Sequence, residues 1–419
     1  MKIAVAGLWH LGCVTSACCA REFDVIGFDS ETSVIESLNT GKAPVSEPGL
    51  DELVASGLAS GRLQFTSDPK QACAQADVLW ITYDTPVNDD DQSDVIAVID
   101  QTARCVPFMR PGATVLVSSQ IPVGTCRMFE SQYPAVKFAC SPENLQLGKA
   151  IHAFDSPARI VVGTRNGESN PLLAELLSRF CQNIIWMKTE SAEMVKHGLN
   201  SYLALSIAFT NELAAICEQT GADANEVSSG LKSDPRIGPR AYLSPGAAFA
   251  GGTLARDIVT LMKVGAEKNL PLDVISAVKR SNDRHRGWAL RRLLERLSDL
   301  RGRRIALLGL TYKPGTNTLR RSSALELARS LVDLGASVSA FDPAINAIEN
   351  TNVRLTGDAL SAAQGADALV ICTEWPEFLQ IDCHLMVEAL RCPLVLDPNR
   401  FLEKKMTPTR AEYLSVGRS

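Results

Sequence analysis

Short, mostly apolar stretches alternate with helical patterns in the first third of the chain. They occur at 3–6, 25–28, 78–82, 114–118 and 137–139, and polar or turn residues separate them. Stretches of this length are typical of parallel strands that are buried on both faces of a sheet. The pattern therefore predicts strands at these positions with helices between them, which is the arrangement of a doubly wound α/β sheet.

The pattern changes near position 191. From 192 to 219 the sequence keeps helical periodicity without proline, and its only glycine is Gly198. This length predicts a long spine helix, an element that often forms dimers, and further helical segments continue to about position 300. We therefore expect a helical central domain and a homodimer.

A strand pattern like that of the N-terminus restarts near position 303. The segment 304–310 (RIALLGL) repeats 2–8 (KIAVAGL), and 366–371 (ADALVI) repeats 76–81 (ADVLWI). This spacing indicates duplication of a whole βαβ domain around the helical segment. The sequence thus predicts an α/β protein with two Rossmann-like, doubly wound parallel-sheet domains joined by a helical central domain.

The expected domain boundaries are 1–190 for the first Rossmann-like domain, 191–300 for the central domain and 301–419 for the second Rossmann-like domain. Ligands of such folds bind at the carboxyl ends of the parallel strands. We expect one nucleotide on each duplicated domain, with chemistry in the cleft between them.

Composition narrows the possible partners and the location. The 419 residues are 46% hydrophobic and 21% charged, with a formal net charge of −5, which is ordinary for a soluble globular protein. Without a basic stripe we expect no binding to nucleic acid, and without an apolar run of about 18 residues we expect no membrane span. The apolar run at 3–6 is too short for a signal peptide, so the expected location is cytoplasmic.

The chain contains twelve cysteines. In the cytosol these thiols are expected to be reduced. Since no pair shows the CxxC spacing of a zinc site, we expect no metal and interpret the cysteines as small, buried hydrophobic residues.

A glycine-containing turn follows the first predicted strand and opens a helix. Gly7 and Gly12 lie where a dinucleotide fingerprint has its first and last glycines, and Asp29 ends the next strand, placed for a ribose 2′-hydroxyl. An acid at that point favours NAD over NADP. Trp9 occupies the position of the central glycine, where an indole is expected to displace the pyrophosphate, and a turn that binds no dinucleotide is the alternative interpretation. The predicted cofactor contacts are Gly7, Trp9, His10, Leu11, Gly12 and Asp29.

Two further segments follow predicted strands. Thr85 and Pro86 come after the strand at 78–82 and are predicted to lie alongside the cofactor, although a turn that only ends the strand has the same composition. Glu143 follows the strand at 137–139 and is a candidate general base for water. A lone acid in that position is otherwise a surface or capping residue.

Lys196 and Asn200 are spaced i, i+4 on the long helix and therefore share one face. A lysine beside an amide can hold the oxygen of an alcohol that is being oxidised, either as an ammonium that stabilises the alkoxide or as an amine that acts as a base. The alternative is a lysine at the exposed edge of an amphipathic helix.

A glycine pair precedes a predicted helix in 249–257 (FAGGTLARD). We expect Thr253 to cap this helix, with Arg256 and Asp257 in its first turn. Such a turn explains the residues structurally, and it can also hold a nucleophile against a ligand.

With these residues assembled, the chain resembles the UDP-glucose/GDP-mannose dehydrogenase family over nearly its full length. The number and the order of the matching motifs make the resemblance specific. The matching segments are 47–50 (EPGL), 122–125 (PVGT), 141–143 (SPE), Lys196 with Asn200, 234–238 (DPRIG), 309–316 (GLTYKPGT), Arg320 and 373–375 (TEW).

The resemblance implies oxidation of the C6 alcohol of a nucleotide sugar to a carboxylate, with two hydride transfers to NAD. Lys196 and Asn200 would steady the C6 oxygen, helped by Asp257 through water, and Glu143 would serve the hydrolytic step. Arg236 would reach the sugar site of the neighbouring subunit. The further substrate contacts implied are Asn144, Leu145, Phe249, Gly251, Gly252, Tyr312, Lys313, Arg320 and Arg400, and the further cofactor contacts are Thr85, Pro86, Gln120 and Arg320.

The departures from the family cluster at the site. The family's catalytic cysteine forms a thiohemiacetal and then a thioester, and its position is occupied here by Thr253, a hydroxyl without an adjacent strong base. Arg256 stands where the family has lysine, Gln120 where it has threonine, and Trp9 replaces the central glycine. We therefore expect a changed reaction or a lost one.

Three functions are compatible with this pattern. The first is a dehydrogenase that makes one hydride transfer with Lys196 and Asn200, as β-hydroxyacid dehydrogenases do without a cysteine. The second is the full four-electron oxidation, with Glu143 activating water to hydrate the aldehyde. The third is a non-catalytic sugar-nucleotide-binding homologue whose cofactor site has decayed around Trp9.

Overall fold

The computed structural model describes residues 1–88, 91–143, 145, 147–250, 252–349 and 352–418. The chain forms two compact units, Met1–Leu199 and Asn200–Ser419. Each unit is built around a sheet, and the loops that follow its strands carry many of the candidate site residues.

In the described part of the chain, an eight-stranded sheet forms the centre of the first unit. Its strands are β1 (Lys2–Ala6), β2 (Asp24–Phe28), β3 (Leu63–Thr66), β4 (Val78–Ile81), β5 (Thr114–Val117), β6 (Lys137–Cys140), β7 (Ile160–Thr164) and β8 (Ile184–Lys188). Their order is β3-β2-β1-β4-β5-β6-β7-β8, and neighbours are parallel except β6 and β7. The order reverses between β1 and β4, which is where such sheets bind ligands.

Helices cover both faces of this sheet. Because successive side chains of a strand point to opposite faces, each buried strand contributes to two cores. Val5 and Trp80 belong to one core, and Ala4 and Leu79 belong to the other. The helices are α1 (His10–Cys19), α2 (Thr32–Asn39), α3 (Leu50–Ala59), α4 (Pro69–Cys73), α5 (Val95–Cys105), α6 (Thr125–Gln132), α7 (Ala150–Asp155) and α8 (Pro171–Leu177), with a 3₁₀ turn at Val106–Phe108.

A 32-residue helix, α9 (Thr189–Thr220), contains the boundary between the two units. The helix predicted at 192–219 is therefore confirmed. The helices that follow it are α10 (Ala224–Ser233), α11 (Thr253–Glu267), α12 (Asp273–Arg286) and α13 (Trp288–Leu297). Within the described ranges, no helix is both long enough and apolar enough to cross a membrane.

A six-stranded sheet lies at the centre of the second unit in the residues described. Its strands are β9 (Arg304–Leu308), β10 (Ser337–Phe341), β11 (Val353–Leu355), β12 (Ala368–Ile371), β13 (Leu394–Leu396) and β14 (Glu412–Leu414). Their order is β11-β10-β9-β12-β13-β14, and all neighbours are parallel. The accompanying helices are α14 (Ser323–Asp333), α15 (Ala359–Ala363), α16 (Cys383–Ala389) and α17 (Glu403–Met406), with a 3₁₀ segment at Pro376–Gln380.

The duplication seen in the sequence is also a duplication of hydrogen bonds. The N–H of Gly7 donates to Phe28 O (3.0 Å), and the N–H of Gly309 donates to Phe341 O (2.8 Å). In both units the glycine that ends the first strand thus ties its turn to the end of the next strand, and both glycines have positive φ, 101° and 84°. The predicted fold class, with two doubly wound parallel-sheet domains and a long helix, is confirmed.

The sequence missed three strands of the first sheet, β3, β7 and β8. The outermost strand, β8, has only partly buried and exposed residues, so it lacks the continuous apolar run that marks the central strands. The division between the two compact units falls within α9. The domain boundaries 1–190, 191–300 and 301–419 stay predictions.

The cysteines lie mainly in the two units' interiors. Ten of the twelve are buried, Cys372 and Cys392 are half-buried, and all twelve, which lie in the described ranges, are free thiols. Burial, together with nearby Asp29 and Asp51, raises the pKa of Cys13 to about 12. Because they are buried, the interpretation as small hydrophobic residues is confirmed for these ten cysteines.

Candidate active site

The turn after β1 requires glycine at both ends of the predicted fingerprint. Gly7 has φ of 101°, and a Cβ on it would lie 2.6 Å from the Tyr83 side chain. A Cβ on Gly12 would lie 1.9 Å from the Gly7 carbonyl oxygen. Since no side chain fits either space, the turn stays close to the end of the sheet, as a dinucleotide loop requires.

Trp9 is the N-cap residue of α1. Its backbone is extended (φ −95°, ψ −150°), its side chain is 49% exposed, and among the described residues no side chain caps this helix. Any residue adopts this conformation, so tryptophan stands here without backbone strain. Trp9 nevertheless directly precedes the uncapped N–H groups of α1, where a helix N-terminus binds an anion.

The acid that ends β2 binds the turn itself. One oxygen of Asp29 accepts the N–H of Leu8 (2.7 Å), and the other accepts the N–H of Glu31 (3.0 Å). A carboxylate offers about four acceptor sites, so the half-buried Asp29 keeps acceptor capacity for a diol.

The equivalent acid of the second sheet, Asp342, has its Oδ2 fully engaged. It is 3% exposed, and Oδ2 accepts the N–H of Leu310 (2.6 Å), the N–H of Thr311 (2.9 Å) and the indole N–H of Trp375 (3.0 Å). The duplicated acid is thus closed off in the second unit and accessible in the first. Two turns that look alike in sequence therefore differ in what they can bind.

Glu47 joins the turn to a second loop of the first unit. Its Oε2 accepts hydrogen bonds from His10 Nε2 (2.9 Å) and Gly148 N (2.7 Å), and its Oε1 accepts one from Ala150 N (2.9 Å). Burial alone would raise the pKa of Glu47, but the hydrogen bonds from Gly148, His10 and Ala150 outweigh it and hold the pKa below its usual value. His10, expected as a cofactor contact, thus has its Nε2 engaged in holding the fingerprint against the start of α7.

Thr85 and Gln120 come together where β4 and β5 end. The buried Thr85 hydroxyl donates to the Gln120 carbonyl oxygen (2.6 Å). Pro86 is exposed, and its carbonyl oxygen accepts the N–H of Asp94 (2.8 Å). Two of the predicted cofactor contacts are therefore joined by a direct hydrogen bond.

Lys196 reaches the loop that follows β6. Its Nζ donates to the Glu143 carbonyl oxygen (2.7 Å), and the Glu143 carboxylate accepts the N–H of Leu145 (2.5 Å). A cavity of about 20 Å³ is lined by Ser118, Ser119, Gln120, Ile121, Cys140, Pro142, Glu143, Glu193 and Lys196. The structure thus brings together the predicted lysine, the predicted acid and Gln120.

A larger cavity of about 110 Å³ also lies in the first unit. It is lined by Leu11, Glu143 and Leu145 and by the aromatic side chains of Trp80, Phe154 and Phe180. The Thr15 hydroxyl in its wall is fully buried and has no hydrogen-bond partner among the described residues. This space has the mixture of apolar walls and few polar groups that is typical of small-ligand sites.

Asn200 and Asp257 meet in the second unit. The Asn200 Nδ2 donates to Asp257 Oδ2, and both side chains are buried, Asp257 completely. Asn200 lies one helical turn after Lys196, as the i, i+4 spacing predicts. An amide that is bonded to a carboxylate has its orientation fixed.

Thr253 is not the cap of α11. The helix begins at Thr253 itself, its N-cap residue is Gly252 with φ of 106°, and in the described residues no side chain caps it. The predicted threonine cap is therefore wrong, because only glycine readily adopts the backbone conformation at the capping position. Asp257 also lies beyond the first turn, which contains no acid in the described chain. Thr253 is exposed.

The segment before this turn is held by amides that the sequence analysis missed. Asn282 accepts the N–H of Phe249 (3.0 Å) and donates to its carbonyl oxygen (2.9 Å). Asn211 accepts the N–H of Gly246 (3.0 Å), and Asn399 accepts the N–H of Ala247 (2.6 Å). Asn211 and Asn282 are polar residues at buried helix positions, which was the available signal, but their partners lie on other elements. Asn399 is an exposed loop residue and gave no such signal.

The predicted cationic substrate contacts have different surroundings. Arg236 is fully exposed, and its hydrogen bonds with Asp234 raise the pKa of the arginine and lower that of the acid. Lys313 is half-buried and Arg320 is exposed. The Arg400 guanidinium is buried against Asp223 (2.8 Å), so its contacts favour a structural role over the expected contact with substrate.

The other predicted substrate contacts are less constrained. Tyr312 is exposed, with its N–H bonded to Thr318 O (2.9 Å), and Phe249 is half-buried. Asn144 and Gly251 lie outside the described residues.

Comparison with known proteins places this geometry in a family. The chain matches the NAD binding domain of the UDP-glucose/GDP-mannose dehydrogenase family over residues 1–181, its central domain over 190–284 and its UDP binding domain over 306–404.

Similar proteins cover the whole chain. A UDP-glucose 6-dehydrogenase of Rhizobium meliloti is 34% identical over 438 residues, covering 100% of both chains. A solved UDP-glucose dehydrogenase from Pyrobaculum islandicum superposes with a TM-score of 0.88 at 30% identity, covering 100% of this chain and 98% of that one. A solved UDP-D-ManNAc dehydrogenase from Pyrococcus horikoshii gives a TM-score of 0.86 at 27% identity, covering 100% and 99%. The chain therefore belongs to the UDP-glucose/GDP-mannose dehydrogenase family and is an NAD-dependent nucleotide-sugar dehydrogenase.

Proposed function

We propose that this enzyme oxidises the primary alcohol of a UDP-linked hexose without a covalent sulfur intermediate. The observation that carries the proposal is the position of Lys196, whose amine lies against the Glu143 main chain in a cavity where β5 and β6 end. The similar proteins act on UDP-glucose and on UDP-N-acetylmannosamine, by their names. A UDP-linked hexose is the class of substrate that they share.

Lys196 is proposed to manage the charge of the reacting oxygen. The neutral Lys196 amine would accept the hydroxyl proton, and the resulting ammonium would stabilise the alkoxide charge that develops on the oxygen before the hydride leaves, strongly so in a site that excludes water. NAD would supply the acceptor for that hydride, and the oxygen would end as a neutral carbonyl. Asn200, held by Asp257, would donate to the same oxygen, and the rigid amide costs less ordering than a free one.

Thr253 is proposed to be dispensable for the chemistry. A hydroxyl without a base is a far weaker nucleophile than a thiolate, so a covalent step through this side chain is disfavoured. If a second oxidation occurs, Glu143 would accept a proton from the water that hydrates the aldehyde. The Glu143 carboxylate accepts one backbone N–H and keeps acceptor sites for that water.

The residues proposed to hold NAD fit a dinucleotide except at Trp9. Gly7 and Gly12 keep the turn close to the sheet, the N–H groups of His10, Leu11 and Gly12 open α1, and Asp29 has acceptor capacity for the ribose. Thr85, Pro86 and Gln120 would border the nicotinamide half. The residues proposed to contact the sugar nucleotide are Arg236, Tyr312, Lys313 and Arg320. Arg400 is not included, because its guanidinium is buried against Asp223.

The first prediction concerns the number of hydride transfers. Purified enzyme with NAD and a panel of UDP- and GDP-sugars should reduce NAD with at least one of the UDP-sugars, read as absorbance at the NADH band. About one equivalent per sugar identifies a carbonyl product, and about two identify the acid, because each hydride removes two electrons. No reduction across the panel would favour the non-catalytic binding protein.

The second prediction separates the lysine from the threonine. Lys196→Ala should lower kcat by roughly 10²–10³-fold, the loss typical of a group that stabilises an oxyanion. Thr253→Ala, the matched truncation at the position of the family's cysteine, should change kcat by less than about threefold, since its hydroxyl takes no part in the proposed steps. An inactive Thr253→Ala variant of unchanged melting temperature would refute the non-covalent route.

The third prediction concerns Trp9. Trp9→Gly should tighten NAD binding by about tenfold, or about 1.4 kcal/mol, because it removes the bulk beside the pyrophosphate position. Trp9→Ala, which keeps a Cβ, should give an intermediate dissociation constant in calorimetry. Weaker binding in both variants would mean that the indole contacts the cofactor favourably.

A homodimer through α9 is also proposed. Tyr202, Phe209 and Ile216 are exposed at intervals of seven residues, so they form an apolar stripe on one side of the helix. Such a stripe on a long helix is typical of a helix–helix interface between subunits.

The fourth prediction tests this stripe. Phe209→Asp should convert a dimer into a monomer in analytical ultracentrifugation, because it places a charge at the centre of the apolar contact. Leu385→Asp, the same kind of change at an exposed leucine of α16, should leave the dimer intact. A monomeric wild-type protein would rule out the proposed dimer.

A further inference from the structure

The first turns of α9 bury polar side chains, although the buried side of a helix is usually apolar. Glu193 and His197 are 2% and 3% exposed, and both belong to the same stretch of helix as Lys196. The fold gives all three side chains partners in loops that follow β5 and β6. No role for Glu193 or His197 follows from the sequence pattern.

Glu193 binds the start of α6 with both oxygens. Oε2 accepts the N–H of Gly124 (2.6 Å), and Oε1 accepts the N–H of Cys126 (2.9 Å). Gly124 is the N-cap residue of α6 and is in the left-handed region, so the chain itself supplies no capping side chain at that position. The carboxylate from α9 therefore satisfies N–H groups that α6 leaves unpaired.

His197 lies one turn after Glu193 and binds the same loop. Its Nε2 lies 3.1 Å from the carbonyl oxygen of Ile121, so the ring donates there. Between these two contacts, Lys196 Nζ donates to the Glu143 carbonyl oxygen in the neighbouring loop. Glu193, Lys196, Gln120 and Glu143 all line the same cavity of about 20 Å³.

We propose that Glu193 and His197 are positioning residues, which fasten α9 to the loop after β5 and so place the Lys196 amine at the reacting oxygen. The inference rests on the proposed function of Lys196. A lysine side chain has several rotatable bonds, so its amine stays in one place only if the helix that carries it is firmly held. Glu193 makes two hydrogen bonds just before Lys196 in the chain, and His197 makes one just after it. Together they fix the position of this helical turn along the helix axis and its rotation about that axis.

Burying the Glu193 carboxylate destabilises the folded protein, so stability does not explain an acid at this position. Burial raises the pKa of Glu193, and the N–H groups of Gly124 and Cys126 only partly offset that effect. A raised pKa means that the folded protein disfavours the ionised carboxylate. This unfavourable contribution to stability grows as the pH rises from the pKa of the unfolded chain to the raised pKa of the folded protein, and stays constant above it. A neutral side chain at this position should therefore preserve stability better than it preserves function.

Glu193→Gln tests the proposal. The amide keeps the shape but has an NH₂ donor in place of one of the two accepting oxygens, so in this position the N–H of Gly124 or of Cys126 loses its acceptor. We expect kcat to fall by about 10- to 100-fold, the cost of a misplaced reacting group, while the KM values for NAD and for sugar nucleotide stay within about threefold. The melting temperature should stay within a few degrees of wild type.

Glu190→Gln is the matched control. It is the same chemical change one turn earlier on α9, at an acid that pairs with Arg165 and Arg127 (both 2.6 Å) and does not border the cavity in the described residues. Its kcat should equal that of wild type. A Glu193→Gln variant with wild-type kcat, or one whose loss of kcat is matched by a rise in KM and a fall in melting temperature, would overturn the inference.

His197→Phe gives a second, milder variant that keeps the volume of a ring and removes its hydrogen bond to Ile121. We expect kcat to fall by about three- to tenfold at unchanged KM. If Glu193→Gln does not fold, a wild-type kcat in His197→Phe overturns the inference.

Measuring Lys196→Ala in parallel separates the two proposals. An active Lys196→Ala refutes the proposed function, whereas an inactive Lys196→Ala beside a fully active Glu193→Gln refutes only the positioning role.

Discussion

The candidate site depends on the docking of α9 against the carboxyl edge of the first sheet. Parallel strands end at a common edge, so the loops after β5 and β6 are neighbours, and their N–H and C=O groups no longer have strand partners. Buried backbone groups need other partners. Glu193, Lys196 and His197 supply them, which is why this helix buries a polar side where an apolar one is usual. The same contacts bring an amine to the edge of the sheet.

Duplication of the βαβ domain produced two similar turns with different capacities. Both sheets have a glycine turn tied to the following strand and an acid at the end of that strand. In the second unit, Trp375 and Thr311 donate hydrogen bonds to the acid, Asp342, so the turn is closed to a ligand. In the first unit the corresponding Asp29 is half-buried and keeps acceptor sites. The difference lies in side chains outside the repeated motif, so the motif alone does not decide which turn binds a dinucleotide.

Two of the residues interpreted from the sequence as departures from the family, Trp9 and Thr253, lie where the fold constrains the side chain little. Trp9 is half-exposed on an extended backbone, and Thr253 is the exposed first residue of α11. Gly7 and Gly12 lie where any Cβ would collide with neighbouring atoms. Substitutions at Trp9 and Thr253 are therefore expected to cost little stability, whereas a side chain at Gly7 or Gly12 would disturb the packing of α1 on the sheet.

The sequence alone determined the fold class, the long helix and the shared face of Lys196 and Asn200, because strand runs and helical spacing are local properties. It missed β3, β7 and β8, the last because an edge strand with half-exposed residues has no continuous apolar run, and it misplaced the cap of α11 by one residue. The partners of the polar groups were decided by tertiary structure. Lys196 binds a residue 53 positions away, Glu193 one 69 positions away, and Asn282 one 33 positions away. Which loops meet at a buried carboxylate or amine depends on the order of the strands in the sheet, and no local pattern encodes that order.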